Sequence, residues 1–284
     1  MVDQRSGALP TFLIIGAAKC GTTSLHRYLD LHPEIGMSRV KEPHFFAGRD
    51  AWTRGVDWYR TLFDPAFLHR GESSVGYTTH PQTTGVPERI ASVIPDVKLI
   101  YLIRDPVIRL MSEWVHGVAD GIQAKSLDEA VSEMAGTRFG DRGRYFHQIQ
   151  QYHLCFPPAR LMVVTSERMR RDRRATLSAI FRFLGVSPDY WSTGFDRVLH
   201  ESRFLRRKNA IGRLLRRVGN SRAAARVPAH RRHRIGRILY RPFSHPIEHP
   251  TLGPAAAAFA REYYREDVAA LRDLLRDPLS EWSI

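Results

Sequence analysis

Small residues and one lysine form the segment of this sequence that is best suited to bind a phosphate. The segment Gly16-Ala-Ala-Lys19-Cys20-Gly21-Thr22-Thr23-Ser24 lies between an apolar, β-branched run at residues 11–15 and a stretch whose apolar residues recur at helical spacing. A strand-to-helix turn of this kind directs backbone N–H groups and a helix N-terminus at one point, which suits an anion. The pattern predicts a phosphate-binding loop, and an ordinary tight connection between a strand and a helix is the alternative.

The position of the lysine distinguishes this loop from the loop of nucleotide triphosphatases. Gly16 and Gly21 have the spacing of G-x-x-x-x-G-K-[ST], but Thr22 stands where that motif has its lysine. Lys19 lies inside the loop instead. Its ammonium is therefore displaced from the outer end of a triphosphate toward the bridging oxygen beyond a single phosphate.

An arginine and a serine are candidates for binding a second phosphate. Arg104-Asp105-Pro106 follows an almost continuous apolar run at residues 97–103, and helical spacing begins directly after it. Arg104 thus ends a predicted strand, and Ser112 lies about two turns into the next helix. Ligands bind at this edge of open α/β sheets, and an arginine fork with a hydroxyl can hold a phosphate that ATP lacks. The alternatives are that Arg104 pairs with Asp105 and that Ser112 is solvated.

Together the two motifs resemble those of sulfotransferases that use 3′-phosphoadenosine 5′-phosphosulfate (PAPS). The segment from Arg104 to Trp114 matches R-D-P-x-x-R-x-x-S-x-[WY], and the resemblance extends over about residues 12–186. It implies that Arg104 and Ser112 hold the 3′-phosphate and that Lys19 stabilises charge on the leaving oxygen, an effect worth about 3–4 kcal/mol. It also implies that the 5′-phosphate is held by Cys20, Gly21, Thr22, Thr23 and Ser24, through the amides of residues 20–23 and the three hydroxyls.

The same resemblance gives a role to the segment Lys41-Glu42-Pro43-His44-Phe45-Phe46. On its own, this is a loop with a solvated Lys–Glu pair and two core phenylalanines. In sulfotransferases of the heparan-sulfate type, a glutamate shortly before a Phe-Phe pair removes the acceptor's proton, a step typically worth on the order of 10²–10⁴-fold. Glu42 occupies that place, and His44 is the rival base. The lysine that helps such enzymes hold a sulfated glycan is Ser73 here, which puts a heparan-like acceptor in doubt.

Three further assignments come from the resemblance. Tyr145 follows Gly143-Arg144, where the family places a tyrosine near the nucleotide, so it lies either on the adenine side or in the core. Arg207 and Lys208 lie where family members carry a basic loop over the 3′-phosphate, although the usual Lys-Gly pattern is absent. The closing pattern Leu279-x-x-Trp282 is common in bacterial members.

Length and composition indicate a globular enzyme. The 284 residues are 43% hydrophobic and 25% charged, and we expect one domain over residues 1–284, with residues 1–10 frayed. The two cysteines give neither a disulfide framework nor a set of metal ligands, so we expect a reducing compartment. No magnesium-binding acidic motif follows a predicted strand, so we expect no metal. No signal sequence and no run of ~20 apolar residues is evident, which predicts a cytoplasmic location.

Positive charge is concentrated in one segment, which we call the basic arm (residues 201–245). It holds 14 of the Arg and Lys residues and a single acid, so the remainder of a chain of net charge +14 is nearly neutral. A nucleic-acid partner for the whole surface is therefore not expected. Apolar residues recur at helical spacing over residues 211–218 of the arm. The arm either lies on an anionic membrane, or meets an acidic partner, or forms a solvated lid over the active site.

The alternation of buried strands with helices predicts the α/β class, with a P-loop-like three-layer fold and a central, mainly parallel sheet flanked by helices. The predicted function is in-line transfer of the sulfuryl group of PAPS to a hydroxyl or amine of a carbohydrate, lipid or other small molecule, leaving 3′-phosphoadenosine 5′-phosphate (PAP). A P-loop nucleotide kinase is one alternative, but it requires a lysine after Gly21 and a magnesium-binding aspartate. A membrane or nucleic-acid binding protein that acts through the basic arm is the other.

Overall fold

The computed structural model describes residues 7–196, 206–208, 244–246 and 250–284, with the backbone alone for the two three-residue segments. The strands of the main sheet are β1 (Phe12–Gly16), β2 (Ile35–Met37), β3 (His69–Ser73), β4 (Lys98–Ile103) and β5 (Leu161–Thr165). The described helices are α1 (Thr22–Asp30), α2 (Arg49–Trp52), α3 (Gly55–Arg60), α4 (Val86–Val93), α5 (Pro106–Asp120), α6 (Leu127–Ser132), α7 (Arg138–Asp141), α8 (Tyr145–His153), α9 (Ser166–Arg171), α10 (Arg173–Leu184) and α11 (Pro254–Leu275).

The five strands form one parallel sheet in the order β2-β3-β1-β4-β5, flanked by helices. The side chains of β1 are buried throughout, as are those of β4 after Lys98, because strands covered on both faces must be apolar. The predicted α/β, P-loop-like fold is confirmed. The sheet is wholly parallel, where the sequence predicts a mainly parallel one.

Strand β3 is not predicted by the sequence, because His-Arg-Gly-Glu-Ser lacks an apolar run. It lies between β1 and β2, and close packing fixes its glycine: a Cβ on Gly71 would stand 2.1 Å from the Phe12 ring. Glu72 and Ser73 are fully buried. The strand is thus held by ladder hydrogen bonds and by the hydrogen bonds of the Glu72 carboxylate, whereas the buried Ser73 hydroxyl has no hydrogen-bond partner among the described residues.

Helix boundaries follow the end signals in the sequence. The Asp105 side chain accepts from the amides of Val107 and Ile108 at the start of α5, and Ser126 and Glu129 form a capping box at the start of α6. Helix α10 ends at Leu184, and its C-cap residue Gly185 has the left-handed conformation that favours glycine.

The carboxyl ends of the parallel strands all lie at one edge of the sheet. The predicted site residues come after these strand ends. The loop with Lys19 comes after β1, Glu42 comes after β2, and Arg104 comes directly after β4. Because ligands of open α/β sheets bind at this edge, the topology supports one common site.

Most of the basic arm lies outside the described residues. Its described backbone forms β6 (Arg206–Lys208), which pairs antiparallel with β7 (Ser244–Pro246) and lies beside α5. Residues 1–6 of the predicted frayed segment also lie outside the described residues. The prediction is wrong for its last residues, because Pro10 is buried and the Leu9 carbonyl accepts from Arg70 Nε at 2.8 Å. Among the described helices, none has the length and apolarity needed to span a bilayer.

Candidate active site

A cavity of about 1060 Å³ opens at the carboxyl edge of the sheet. It brings together most of the residues that the sequence proposes for the site, although they come from three separate strand ends and one helix. These lining residues are Lys19, Cys20, Gly21, Thr22, Thr23, Ser24, Glu42, Arg104 and Ser112.

The loop between β1 and α1, which we call the phosphate loop (residues 16–24), points the start of α1 at the cavity. Gly21 is the N-cap residue with a φ of 96°, a left-handed conformation that favours glycine, and no side chain caps the helix. The first amides of a helix have no acceptor within it, so those of Thr22 and Thr23 remain for a ligand, whereas the Ser24 amide donates to the Gly21 carbonyl at 3.0 Å. The amide of Cys20 is an exception, because it donates to the Ala17 carbonyl at 3.2 Å. The expectation that this amide binds phosphate is therefore corrected.

Lys19 lines the cavity with a φ of 71° and forms no ion pair with any described residue. Burial lowers the pKa of its ammonium, and the negative charges of Glu113 and Asp120 partly offset that effect. A nearby anion stabilises a buried cation of this kind, because their attraction offsets the free-energy cost of removing the cation from water.

Arg104, which follows β4, is like Lys19 a partly buried cation that lines the cavity. Its Nε is buried and has no hydrogen-bond partner among the described residues, and burial, followed by the positive charge of Arg170, lowers the pKa of its guanidinium. It does not pair with Asp105, whose carboxylate accepts from the α5 amides and from the Ser283 amide at 2.7 Å. Ser112 is only 9% exposed, so neither non-functional interpretation of this motif holds.

Five cationic side chains but only three carboxylates are among the described residues that line the cavity, which favours an anionic ligand. The sequence interpretation does not identify three of the cations, Arg142, Arg170 and Arg173. A buried Nε without a described partner also occurs in Arg142 and in Arg173. Arg170 and Arg173 come shortly after β5, so their place beyond a strand's carboxyl end is the signal that could have found them.

Glu42 faces the cavity from the loop after β2, which we call the base loop (residues 38–48). Its carboxylate contacts the Lys41 ammonium and lies 3.4 Å from His44 Nε2. Burial alone would raise the pKa of Glu42, but the hydrogen bonds from His44 and Lys41 outweigh burial and lower it to about 2. Glu42 is therefore ionised at neutral pH, and Lys41 and His44 stabilise its charge.

Two predicted residues do not line the cavity. His44 is not among the residues that line the cavity, and its Nε2 lies 3.4 Å from the Glu42 carboxylate; its role as the rival base stays a prediction. Tyr145 is fully buried, with its ring 5.9 Å from those of Tyr101 and Trp282 and its hydroxyl 3.6 Å from Cys20 Sγ. Of its two alternatives, the core position is correct. The side chains of Arg207 and Lys208 lie outside the described residues.

Comparison with known proteins relates this arrangement to one family. The family model described as "Sulfotransferase domain" matches residues 9–214. The chain is 31% identical over 213 residues to the human bifunctional heparan sulfate N-deacetylase/N-sulfotransferase 3, with 66% of this chain and 24% of that protein covered. It is 28% identical over 193 residues to the mouse heparan sulfate glucosamine 3-O-sulfotransferase 3A1, with 66% of this chain and 48% of that protein covered.

Among solved structures, the crystal structure of a sulfotransferase from Alicyclobacillus acidocaldarius superposes with a TM-score of 0.69 and 26% identity. That match covers 98% of this chain and 100% of the other. The first curated relatives are much longer, since the chain spans only about a quarter of the length of the bifunctional enzymes.

Proposed function

We propose that this chain, which belongs to the sulfotransferase family by a match over most of its length, transfers the sulfuryl group of PAPS to a hydroxyl or amine. The observation that carries the proposal is the pairing of two sites for anions with one ionised carboxylate around a single cavity. The phosphate loop and Arg104 provide the anion sites, and Glu42 provides the carboxylate.

The described side chains fit the two phosphates of the donor. The free amides at the start of α1, with the hydroxyls of Thr22 and Thr23, would hold the 5′-phosphate. Arg104 and Ser112 would hold the 3′-phosphate, and the buried Arg104 Nε without a partner supports an anion at that position. Lys19 would stabilise the negative charge that develops on the leaving phosphate oxygen.

Transfer would proceed in line, as it does for phosphoryl groups. Glu42 would accept the acceptor's proton while the acceptor oxygen or nitrogen forms a bond to sulfur. The bond between sulfur and the 5′-phosphate oxygen breaks at the same time. The electron pair of that bond stays on the oxygen, which leaves as part of PAP. A sulfuryl group carries less charge than a phosphoryl group, so we expect no metal requirement, and loss of activity in EDTA would contradict this.

The acceptor class stays broad in this proposal: a carbohydrate, a lipid or another small molecule. The curated relatives carry heparan sulfate in their names, which makes glycans with free amines and hydroxyls the first class to test. Ser73 is fully buried, so it presents no side chain to a glycan from the position where heparan-type members have lysine. Single-domain organisation, cytoplasmic location and membrane contact by the basic arm stay predictions.

Calorimetric titration with PAP, AMP and ATP tests the proposal. We expect PAP to bind much more tightly than AMP or ATP, and Arg104→Ala to weaken PAP binding about 10–100-fold, since a hydrogen bond to a charged group is worth about 1.5–3 kcal/mol. Arg182→Ala is the control, because Arg182 is exposed on α10 and does not line the cavity. Equal binding of ATP and PAP would favour the kinase alternative, and absence of PAP binding would contradict the proposal.

A further inference from the structure

A buried carboxylate that the proposed reaction does not use lies beneath the base loop. Glu72 of β3 is fully buried and accepts hydrogen bonds from three hydroxyls. Its Oε1 accepts from Tyr59 at 3.1 Å and from Tyr77, and its Oε2 accepts from Ser74 at 2.8 Å. One side chain in the core thus fixes the direction of three hydroxyl groups.

Two of these hydroxyls also hold the base loop. The Ser74 oxygen accepts from the His44 amide at 3.1 Å, and the Tyr77 oxygen accepts from the Phe46 amide at 3.4 Å. A hydroxyl has one hydrogen, and when that hydrogen is given to Glu72 the oxygen lone pairs face the amides. The Tyr59 hydroxyl differs, because among the described residues its contact is with Glu72.

The backbone of the base loop needs such support. Glu42 has a φ of 60° and His44 a φ of 51°, a region that residues other than glycine seldom adopt and that persists only where the surroundings enforce it. The Glu42 amide donates to the Ser73 carbonyl at 3.0 Å, and Arg89 Nε donates to the Phe46 carbonyl at 2.7 Å. The bonds to Ser74 and Tyr77 add two links from the base loop to the residues that follow β3.

We propose that Glu72 is a positioning residue for Glu42, acting through the hydroxyls of Ser74 and Tyr77 on the amides of His44 and Phe46. The inference rests on the proposed role of Glu42 as the base. Glu72 itself touches neither the cavity nor a reacting atom. Its effect is to hold the Glu42 carboxylate at the cavity wall.

Three single variants test this inference. Ser74→Ala and Tyr77→Phe each remove one link to the base loop, whereas Tyr59→Phe removes a hydroxyl from the same buried carboxylate without removing a link. Sulfuryl transfer is measured from PAPS to a partly N-deacetylated heparosan oligosaccharide, with PAP binding followed by calorimetry. Because a misplacement of about 1 Å can cost on the order of 10²-fold in rate, we expect kcat to fall about 10–10²-fold in Ser74→Ala and Tyr77→Phe. PAP affinity should stay unchanged in both, and Tyr59→Phe should keep a kcat near that of the wild type.

A double variant separates positioning from general damage to the fold. If Ser74 acts through Glu42, adding Ser74→Ala to Glu42→Gln causes no further loss, since the two effects are not additive. Damage to the fold would instead reduce transfer by the same factor in both backgrounds, and that result would overturn the inference. Equal losses of kcat in Tyr59→Phe and Ser74→Ala would also overturn it.

Hydrogen exchange gives a readout that does not depend on the acceptor. We expect the amides of residues 41–48 to exchange faster in Ser74→Ala and Tyr77→Phe than in Tyr59→Phe, with the phosphate loop unchanged. Identical exchange in the three variants would overturn the inference even if the oligosaccharide were not a substrate. Full turnover by Glu42→Gln would overturn the proposed base, and loss of PAP binding by the wild type would contradict the proposed donor.

Discussion

The phosphate loop and the base loop face the same cavity but differ in whether their polar groups have partners within the protein. Lys19 forms no ion pair with a described residue, and the N-terminus of α1 has no side-chain cap. In the base loop, by contrast, Glu42 contacts both Lys41 and His44, and the amides of His44 and Phe46 bond to side chains. One loop leaves charge without a partner, and the other pairs its groups within the protein.

This difference matches the parts that the two loops would play in the proposed reaction. A site that binds a highly charged molecule such as PAPS gains affinity and rate when the site's own cations and N–H groups are desolvated. Those groups must also have no competing partner before PAPS binds. A base must instead be held in one geometry, because its catalytic contribution depends on close alignment with the acceptor. We therefore expect substitutions in the phosphate loop and in the base loop to affect activity and stability differently.

The largest expected effect is that of Glu42→Gln. The amide keeps the size of the side chain but cannot take a proton, so we expect kcat to fall on the order of 10²–10⁴-fold. Transfer from PAPS to the heparosan oligosaccharide measures the loss, and calorimetry should show unchanged affinity for PAP. Glu34→Gln is a control at an exposed glutamate outside the cavity lining. Wild-type turnover in Glu42→Gln would show that another group is the base.

Lys19→Met should have the next largest effect and should separate activity from stability. Removing the cation should lower kcat about 10²–10³-fold, the usual loss for one transition-state donor. Burial lowers the pKa of Lys19, so its charge is costly in the free protein, and we expect an unchanged or higher melting temperature in the variant. Thermal unfolding without nucleotide measures this. A large drop in melting temperature would show that Lys19 stabilises the fold and would contradict the contrast between the loops.

The elements with a strong local pattern could be predicted from the sequence, and those determined by tertiary contacts could not. The apolar runs that form β1 and β4 are recognisable in the sequence. The motif from Arg104 to Ser112 also places both residues at the cavity, because its spacing spans a strand end and two helical turns. Strand β3 carries no such pattern, since Glu72 and Ser73 are buried by long-range contacts.

The same limit explains the roles that sequence reasoning missed. Nothing local distinguishes Glu72 from an exposed glutamate, because its partners Tyr59 and Tyr77 are brought to it by separate elements. Tyr145 could be assigned to the core only when its contacts with Tyr101 and Trp282 were known.

The carboxylates of Glu72 and Glu42 should make the stability of the protein depend on pH in opposite directions. Burial raises the pKa of Glu72 from 4.5 to about 7, despite the hydroxyls of Tyr77, Ser74 and Tyr59 and the nearby His44, which lower it. Between these values the folded protein binds more protons than the unfolded chain, so stability falls as pH rises, by up to about 1.4 kcal/mol per pH unit. The pKa of Glu42 is lowered to about 2, so its contribution is present above pH 4.5 and is lost as pH falls toward 2.

Urea unfolding between pH 2 and pH 8 checks both slopes. Glu42→Gln should reduce the loss of stability on the acid side, whereas Glu72→Gln should reduce the loss between pH 4.5 and pH 7. If both variants change the same side of the curve, the two carboxylates do not have opposite shifts.

Tyr145→Phe should have the smallest effect, and it tests whether this residue supports the phosphate loop without contacting the donor. Its hydroxyl lies 3.6 Å from Cys20 Sγ, and burial raises the pKa of that thiol to about 11, so the contact at neutral pH is between two uncharged groups. Losing such a bond costs about 0.5–1.5 kcal/mol of stability. We expect a small fall in melting temperature and PAP affinity close to that of the wild type, in contrast to Arg104→Ala. A loss of PAP affinity as large as that of Arg104→Ala would contradict a purely supporting role for Tyr145, because one weak contact with Cys20 should not matter as much as a direct contact with a phosphate.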